Sequence, residues 1–249
     1  RQMTEIKNKP YLMALLSGVA YKDPEDANKT FEKYGFNNHR FIEKEGAQCY
    51  VIWNDTDAII AFRGTEPKEM SDVKADLNAI QRQGMHNTGD VHSGFQGEIK
   101  KVWDDLNFTI ADIQDRKIHI TGHSLGGAMA TICAKRLQEE GIQPHCLYTY
   151  GSPRVGDKRW VSSLNVDHYR FQNNNDVVCK VPFWMMGYRH HGKNIYIGYN
   201  GKICKMNIWR RFIDSMRGRL KAWSKWQFFD GVYDHDISTY AKRVKGYDV

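Results

Sequence analysis

Apolar positions along the chain follow two periods, and their alternation predicts a sheet flanked by helices. Leu12, Leu15, Leu16 and Val19, within Tyr11 to Tyr21, fall at helical spacing. The Asp23-Pro24 step ends that helix, because the residue before a proline is pushed out of the helical region. Phe31 to Ala47 mixes aromatics with Asn, Gly and charge and reads as a loop or irregular connection. Gln48 to Trp53 and Ala58 to Phe62 are β-rich runs around the turn composition Asn54-Asp55-Thr56-Asp57, predicting a hairpin or two neighbouring strands. Helical spacing returns at Met70, Val73, Leu77 and Ile80, inside a polar stretch from Glu66 to Asp90 with Glu69, Asp72, Lys74 and Asp76 on the opposite side. On periodicity alone this is an ordinary amphipathic surface helix. A longer stripe follows His92-Ser93-Gly94-Phe95, through Ile99, Val102, Trp103, Leu106 and Ile110.

Ile118 to Ala134 reads IHITGHSLGGAMATICA: a short apolar strand, a stop at Gly122-His123-Ser124-Leu125-Gly126, then a small-residue helix through Leu137. Glycines two positions either side of Ser124 let backbone pass close to backbone, and a sharp turn would hold the hydroxyl clear of strand and helix. Such turns also cradle phosphates, but no Lys-Ser or Lys-Thr closes this one. A nucleophilic serine and a buried structural serine both remain open on this segment alone.

Cys146 to Tyr150 is a further strand, followed by Gly151-Ser152-Pro153-Arg154-Val155-Gly156-Asp157 and a short helix over Trp160 to Leu164. Tyr169 to Gln172 is a strand running into Asn173-Asn174-Asn175-Asp176, Pro182 to Gly187 a loop, and Asn194 to Tyr199 a strand. Asp176 stands just past a strand end, where α/β sheets place catalytic groups, although a turn aspartate capping its own backbone fits the same position. Ile208, Phe212, Met216, Leu220 and Trp223 trace one helical face in a segment of about 202–228. Eight Lys and Arg between Lys202 and Lys225 face the single acid Asp214. Such a helix either packs on its own protein or lies on an anionic membrane surface. Asp234-His235-Asp236 then precedes a last helical pattern through Ile237, Tyr240 and Val244. Strand and helix alternating at these intervals imply an α/β fold with a mostly parallel central sheet covered on both faces.

Composition narrows the picture without redirecting it. The 249 residues, 41% hydrophobic and 26% charged, suit one folded domain spanning 1–249. No stretch reaches the roughly 18 to 20 apolar residues needed to cross a bilayer. A net charge of +7 leaves room for peripheral contact with lipid or an anionic surface, whereas nucleic acid lacks any groove-reading motif to support it. The five cysteines lack the close pairs of a zinc site, and Cys49, Cys133 and Cys146 lie in apolar runs as core residues, so neither a metal nor a disulfide scaffold is expected. The compartment is open: cytoplasmic if Met3 is the start, secreted if a leader preceded Arg1. Oligomeric state is likewise open.

A hydroxyl nucleophile at neutral pH needs a base and a group that orients the base. After Ser124 the chain supplies Asp176 beyond a strand and His235 before the last helix. His92, His119, His145, His168, His190 and His191 fall in or beside the sheet-forming segments, where packing is the usual role, and His123 points away from its neighbouring serine on a sharp turn. His235 follows every other element and sits on a loop. The order Ser, Asp, His is that of α/β-hydrolases.

Several separated segments then resemble the class 3, fungal-lipase-like family of α/β-hydrolases: Ala61-Phe62-Arg63-Gly64-Thr65, Val91-His92-Ser93-Gly94-Phe95, the Gly122 to Gly126 turn, Tyr150 to Gly156, Asn175-Asp176-Val177-Val178, Gly187-Tyr188-Arg189-His190 and Asp234-His235. The resemblance implies a carboxylic ester hydrolase working through an acyl-enzyme without cofactor. Ser124 would be the nucleophile, His235 the general base and Asp176 the orienting carboxylate, with the backbone N–H groups of Thr65 and Leu125 as the oxyanion hole. It also implies a lid at about 66–90, which replaces the plain surface-helix reading there. The stripe of that lid is only weakly apolar, and Cys179-Lys180 stands where the family tends to show a proline. A fatty-acyl or acylglycerol ester is the expected substrate; a phospholipase or lysophospholipase, a feruloyl-type esterase and a non-catalytic lipid-binding domain are the alternatives.

Overall fold

The computed structural model describes residues 9–64, 81–83, 88–204 and 235–249. Eight strands form the main sheet: β1 (Asn38–Lys44), β2 (Ala47–Trp53), β3 (Asp57–Phe62), β6 (Lys117–His123), β7 (Cys146–Tyr150), β8 (His168–Asn173), β9 (Lys193–Ile197) and β10 (Ile203–Cys204), in the order β1-β2-β3-β6-β7-β8-β9-β10. The five-strand centre β3-β6-β7-β8-β9 is parallel, and the pairs β1-β2, β2-β3 and β9-β10 are antiparallel. Two further short strands, β4 (Gln81–Gln83) and β5 (Asp90–His92), pair with each other.

Both faces of the sheet are apolar because successive side chains alternate between them. Cys49 and Val51 of β2, Ala58, Ile60 and Phe62 of β3 and Leu147 of β7 face one core, where they meet α3 (Ser93–Ala111), α4 (Leu125–Glu139) and α5 (Lys158–Ser162). Tyr50 and Ile52, Ile59 and Ala61, and Cys146, Tyr148 and Tyr150 face the other, under α1 (Lys9–Val19), α2 (Pro24–Lys33) and α6 (Ile237–Val244). The α3 stripe predicted from spacing is buried at Phe95, Ile99, Val102, Leu106 and Ile110.

Two expectations change. Phe31 to Ala47 is not an irregular connection, since it carries the end of α2 and all of β1. β1 is an edge strand whose side chains are mostly half-buried or exposed, so its sequence lacks an apolar pattern. At the start of the 202–228 segment, Ile203 and Cys204 pair with β9 as a strand and not as helix. The rest of that basic segment and the lid helix through Met70, Val73, Leu77 and Ile80 lie outside the described residues.

Candidate active site

Ser124 occupies the single-residue bend between β6 and α4, with φ 58° and ψ −130°. A side chain in that region of backbone space costs about 1–3 kcal/mol, and the neighbours hold it there. A Cβ on Gly122 would lie 2.7 Å from Gly127 N, and one on Gly126 would lie 2.9 Å from Arg63 C, so β6, α4 and the end of β3 close on one another only because both positions lack side chains. Ser124 N–H donates to Tyr150 O on β7 at 3.0 Å, which anchors the bend to the next strand. Leu125 is the first residue of α4, where a backbone N–H has no intrahelical acceptor and carries the positive end of the helix dipole.

Asp176 and His235 meet although 59 residues separate them. The Nδ1–H of His235 donates to the Asp176 carboxylate at 3.0 Å from each oxygen, and both residues are buried. With the proton on Nδ1, Nε2 keeps a lone pair, and that nitrogen is buried with no hydrogen bond among the described residues. Two more donors converge on Asp176: the Tyr240 hydroxyl at 2.6 Å and Val178 N–H at 2.9 Å. Tyr240 Oη in turn accepts from Asn173 N–H at 2.9 Å. Burial, and then the Asp176 charge, raise the Tyr240 phenol well above its ordinary range, so it stays a donor. The carboxylate is thus fixed by donors from the following turn, from the residue ahead of α6 and from α6 itself, with β8 steadying Tyr240.

His123, beside the serine, is not a base. Its Nε2–H donates to the His235 carbonyl at 2.6 Å and its Nδ1 accepts from the Tyr21 hydroxyl at 2.9 Å. Burial, with His235 next to it, holds its imidazole well below the usual histidine range, and the neutral ring lies 4.5 Å from the His235 ring. It therefore holds the His235 backbone while Asp176 holds the His235 ring. Cys179, the one thiol near Asp176, is pushed well above its normal range by burial and by the carboxylate, which rules out a thiolate at rest.

Ser124, Leu125, Asp176 and His235 thus occupy one end of the sheet. Thr65 lies outside the described residues, but Gly64 just before it comes up to the bend, where an added Cβ would sit 3.1 Å from Ser124 Cβ. Tyr21, His123 and Tyr240 escaped the sequence reading as site residues. Tyr240 stood in a helical stripe five residues after His235, and only its polar tip hinted at a second role. A cleft of about 430 Å³ lined by Arg116, His145 and Asp167, among others, lies by the start of β6 and contains none of these groups.

A model of the class 3 lipases matches residues 59–186, which is half of the chain. The chain is similar to a lipase of Rhizomucor miehei, 37% identical over 121 residues, covering 44% of this chain and 33% of that protein. It is also similar to the secreted mono- and diacylglycerol lipase A of Penicillium cyclopium, 30% identical over 173 residues, covering 66% and 55% respectively. It therefore spans between about a third and just over half of these relatives. The solved structure of the Rhizomucor miehei triacylglyceride lipase superposes with a TM-score of 0.63 at 25% identity, over 75% of this chain and 78% of that one. His235 and Tyr240 fall outside the matched stretch, so their place beside Asp176 rests on the geometry alone. With an α/β-hydrolase sheet, a Ser124 bend and an Asp176 turn all inside the match or its superposition, the chain belongs to the class 3 lipases.

Proposed function

We propose that the chain is a serine carboxylic ester hydrolase acting on fatty-acyl esters, with Ser124, His235 and Asp176 as its triad. The observation that carries the reading is the buried Nε2 of His235, left with a lone pair while Asp176 fixes the opposite nitrogen. Ser124 Oγ attacks the ester carbonyl carbon as its proton passes to His235 Nε2, giving a tetrahedral intermediate. The Leu125 N–H, and by family resemblance the Thr65 N–H, receive the oxyanion; each such donor is worth about 3 kcal/mol in this chemistry. Collapse breaks the ester C–O bond, and His235 gives its proton to the departing alcohol. Water, deprotonated by the same nitrogen, then releases the acid and restores Ser124. Similarity to a mono- and diacylglycerol lipase supports acylglycerols as the substrate class.

Ser124→Ala should cut turnover of p-nitrophenyl esters at least about 1,000-fold while thermal unfolding stays unchanged. A folded variant with near-native turnover would end the proposal. A phospholipase reading is favoured by the acid-poor run from Lys202 to Lys225. It predicts faster hydrolysis of anionic phospholipid than of diacylglycerol, and the reverse ratio removes it.

A further inference from the structure

Six large apolar side chains are exposed among the described residues, and four of them are consecutive: Phe183, Trp184, Met185 and Met186. Their exposures are 57%, 60%, 78% and 43%. Isolated apolar residues on a surface need no explanation, but a contiguous aromatic and thioether ridge does.

The ridge is a built feature. Met186 N–H and Gly187 N–H close it as a one-turn 3₁₀ helix, bonding Phe183 O and Trp184 O at 3.0 Å each. Two guanidinium groups hold it from beneath: Arg189 donates to Trp184 O at 2.8 Å, and Arg154 donates to Pro182 O at 2.8 Å and also to Lys180 O. Arg154 N–H to Val181 O and Arg189 N–H to Gly156 O tie both flanks to the segment after β7. Ridge and site share one stretch of chain, since Asp176 receives the Val178 N–H and the ridge begins five residues later.

Charge says what covers it. No Asp or Glu occurs from Val177 to Cys204, whereas Lys180, Arg189, Lys193 and Lys202 do. Trp, Phe and Met at the tip with the Arg154 and Arg189 guanidinium groups bonded to carbonyls at the base are the composition of an interfacial anchor, in which apolar side chains enter the headgroup boundary and cations meet anionic lipid. We infer that residues 183–186 dock the molecule on an anionic lipid surface and bring the Ser124 end of the sheet to that surface. This rests on the reading of the chain as an enzyme of lipid esters, and it adds the place where that enzyme meets its aggregated substrate.

The test compares the full wild-type chain with Trp184→Ser/Met185→Ser and with Met185→Glu. Sedimentation with phosphatidylglycerol/phosphatidylcholine vesicles and with pure phosphatidylcholine vesicles is measured at two salt concentrations, beside hydrolysis of p-nitrophenyl butyrate below its solubility limit. Wild type should bind the anionic vesicles more tightly than the neutral ones, the difference fading with salt. The double variant should lose at least about tenfold in partitioning with unchanged thermal unfolding and butyrate turnover within about twofold. Met185→Glu should lose more on anionic than on neutral vesicles. Equal sedimentation of wild type and double variant, or no sedimentation of wild type, overturns the inference. So does a lipid-free wild-type dimer that the double variant abolishes, since a second copy would then cover the ridge. Ridge-dependent binding by a protein that hydrolyses no ester leaves the docking surface standing and removes the enzymatic reading.

Discussion

The Asp176 carboxylate is fully buried, and three donors meet it: His235, Tyr240 and Val178 N–H. A hydrogen bond to a charged group is worth about 1.5–3 kcal/mol, and the loss is larger when the partner stays buried. Tyr240→Phe keeps the ring that packs against Tyr150 and removes only the hydroxyl. The expected outcome is destabilisation by about 2 kcal/mol in urea unfolding. A fall of about tenfold in kcat with little change in KM should accompany it, because the carboxylate that orients the proposed base is less firmly held. Equal kcat and equal urea midpoints in the two proteins would show that Tyr240 merely fills space. His123 gives the matching lesson: a residue beside the proposed nucleophile uses both ring nitrogens on distant neighbours, the His235 carbonyl and the Tyr21 hydroxyl.

At the scale of elements, β7, β8 and the turn entering β9 share a directed chain of protons. Thr149 donates to His168 Nε2 at 2.8 Å, His168 Nδ1–H donates to His191 Nδ1 at 3.0 Å, and His191 Nε2–H donates to Leu164 O at 3.0 Å. Each ring is neutral in this arrangement and an added proton breaks it. Burial first, then His191 and Arg170, lowers His168, and burial then Arg170 lowers His190, while burial lowers His191 against the pull of its bond to Leu164. His123 and His145 are lowered too, by burial first. The unfolded chain therefore binds protons below about pH 6.5 that the folded chain refuses, so stability is full above that pH and falls as pH drops towards the lowered values. Urea midpoints should decline steadily from pH 7 to pH 5, and a flat profile would contradict these shifts. Much of this architecture is legible in sequence: the β7 run matches the strand to the residue, β2 and β3 show as β-rich runs around a turn composition because both their faces are buried, and α3 and α6 show because each buries one face with a helical period. Helix α2 and β1 were hidden because α2 buries only Ala27 and Phe31, and β1 presents an edge. Ser124, Asp176 and His235 were legible through turn chemistry and order, whereas the Tyr240 and Tyr21 bonds join segments that no local pattern connects.

The molecule as a whole keeps its thiols inside. All five cysteines are free; Cys49, Cys133, Cys146 and Cys179 are buried, while Cys204 is half-buried. Burial pushes the Cys49 and Cys146 thiols up to about 12 and raises Cys133 and Cys179 well above the ordinary thiol range. At pH 8 a disulfide reagent should modify one thiol per folded chain and five after unfolding; rapid reaction of four or more in the folded protein would contradict this core. The two helices furthest apart along the described chain, α1 and α6, lie against each other on one face of the sheet. Ser17 of α1 bonds Thr121 of β6 at 2.9 Å, and Pro10 O accepts from Tyr150 of β7. His235 enters the site immediately ahead of α6, and Tyr21, just beyond α1, holds the ring that steadies it. Joining such distant segments costs little more entropy than joining near ones, because closure cost grows only with the logarithm of the separation. It also makes the proposed site a sensor of closure: a cut or strain that separates α1 from α6 would remove His235 from Ser124 while leaving the parallel centre of the sheet its own contacts.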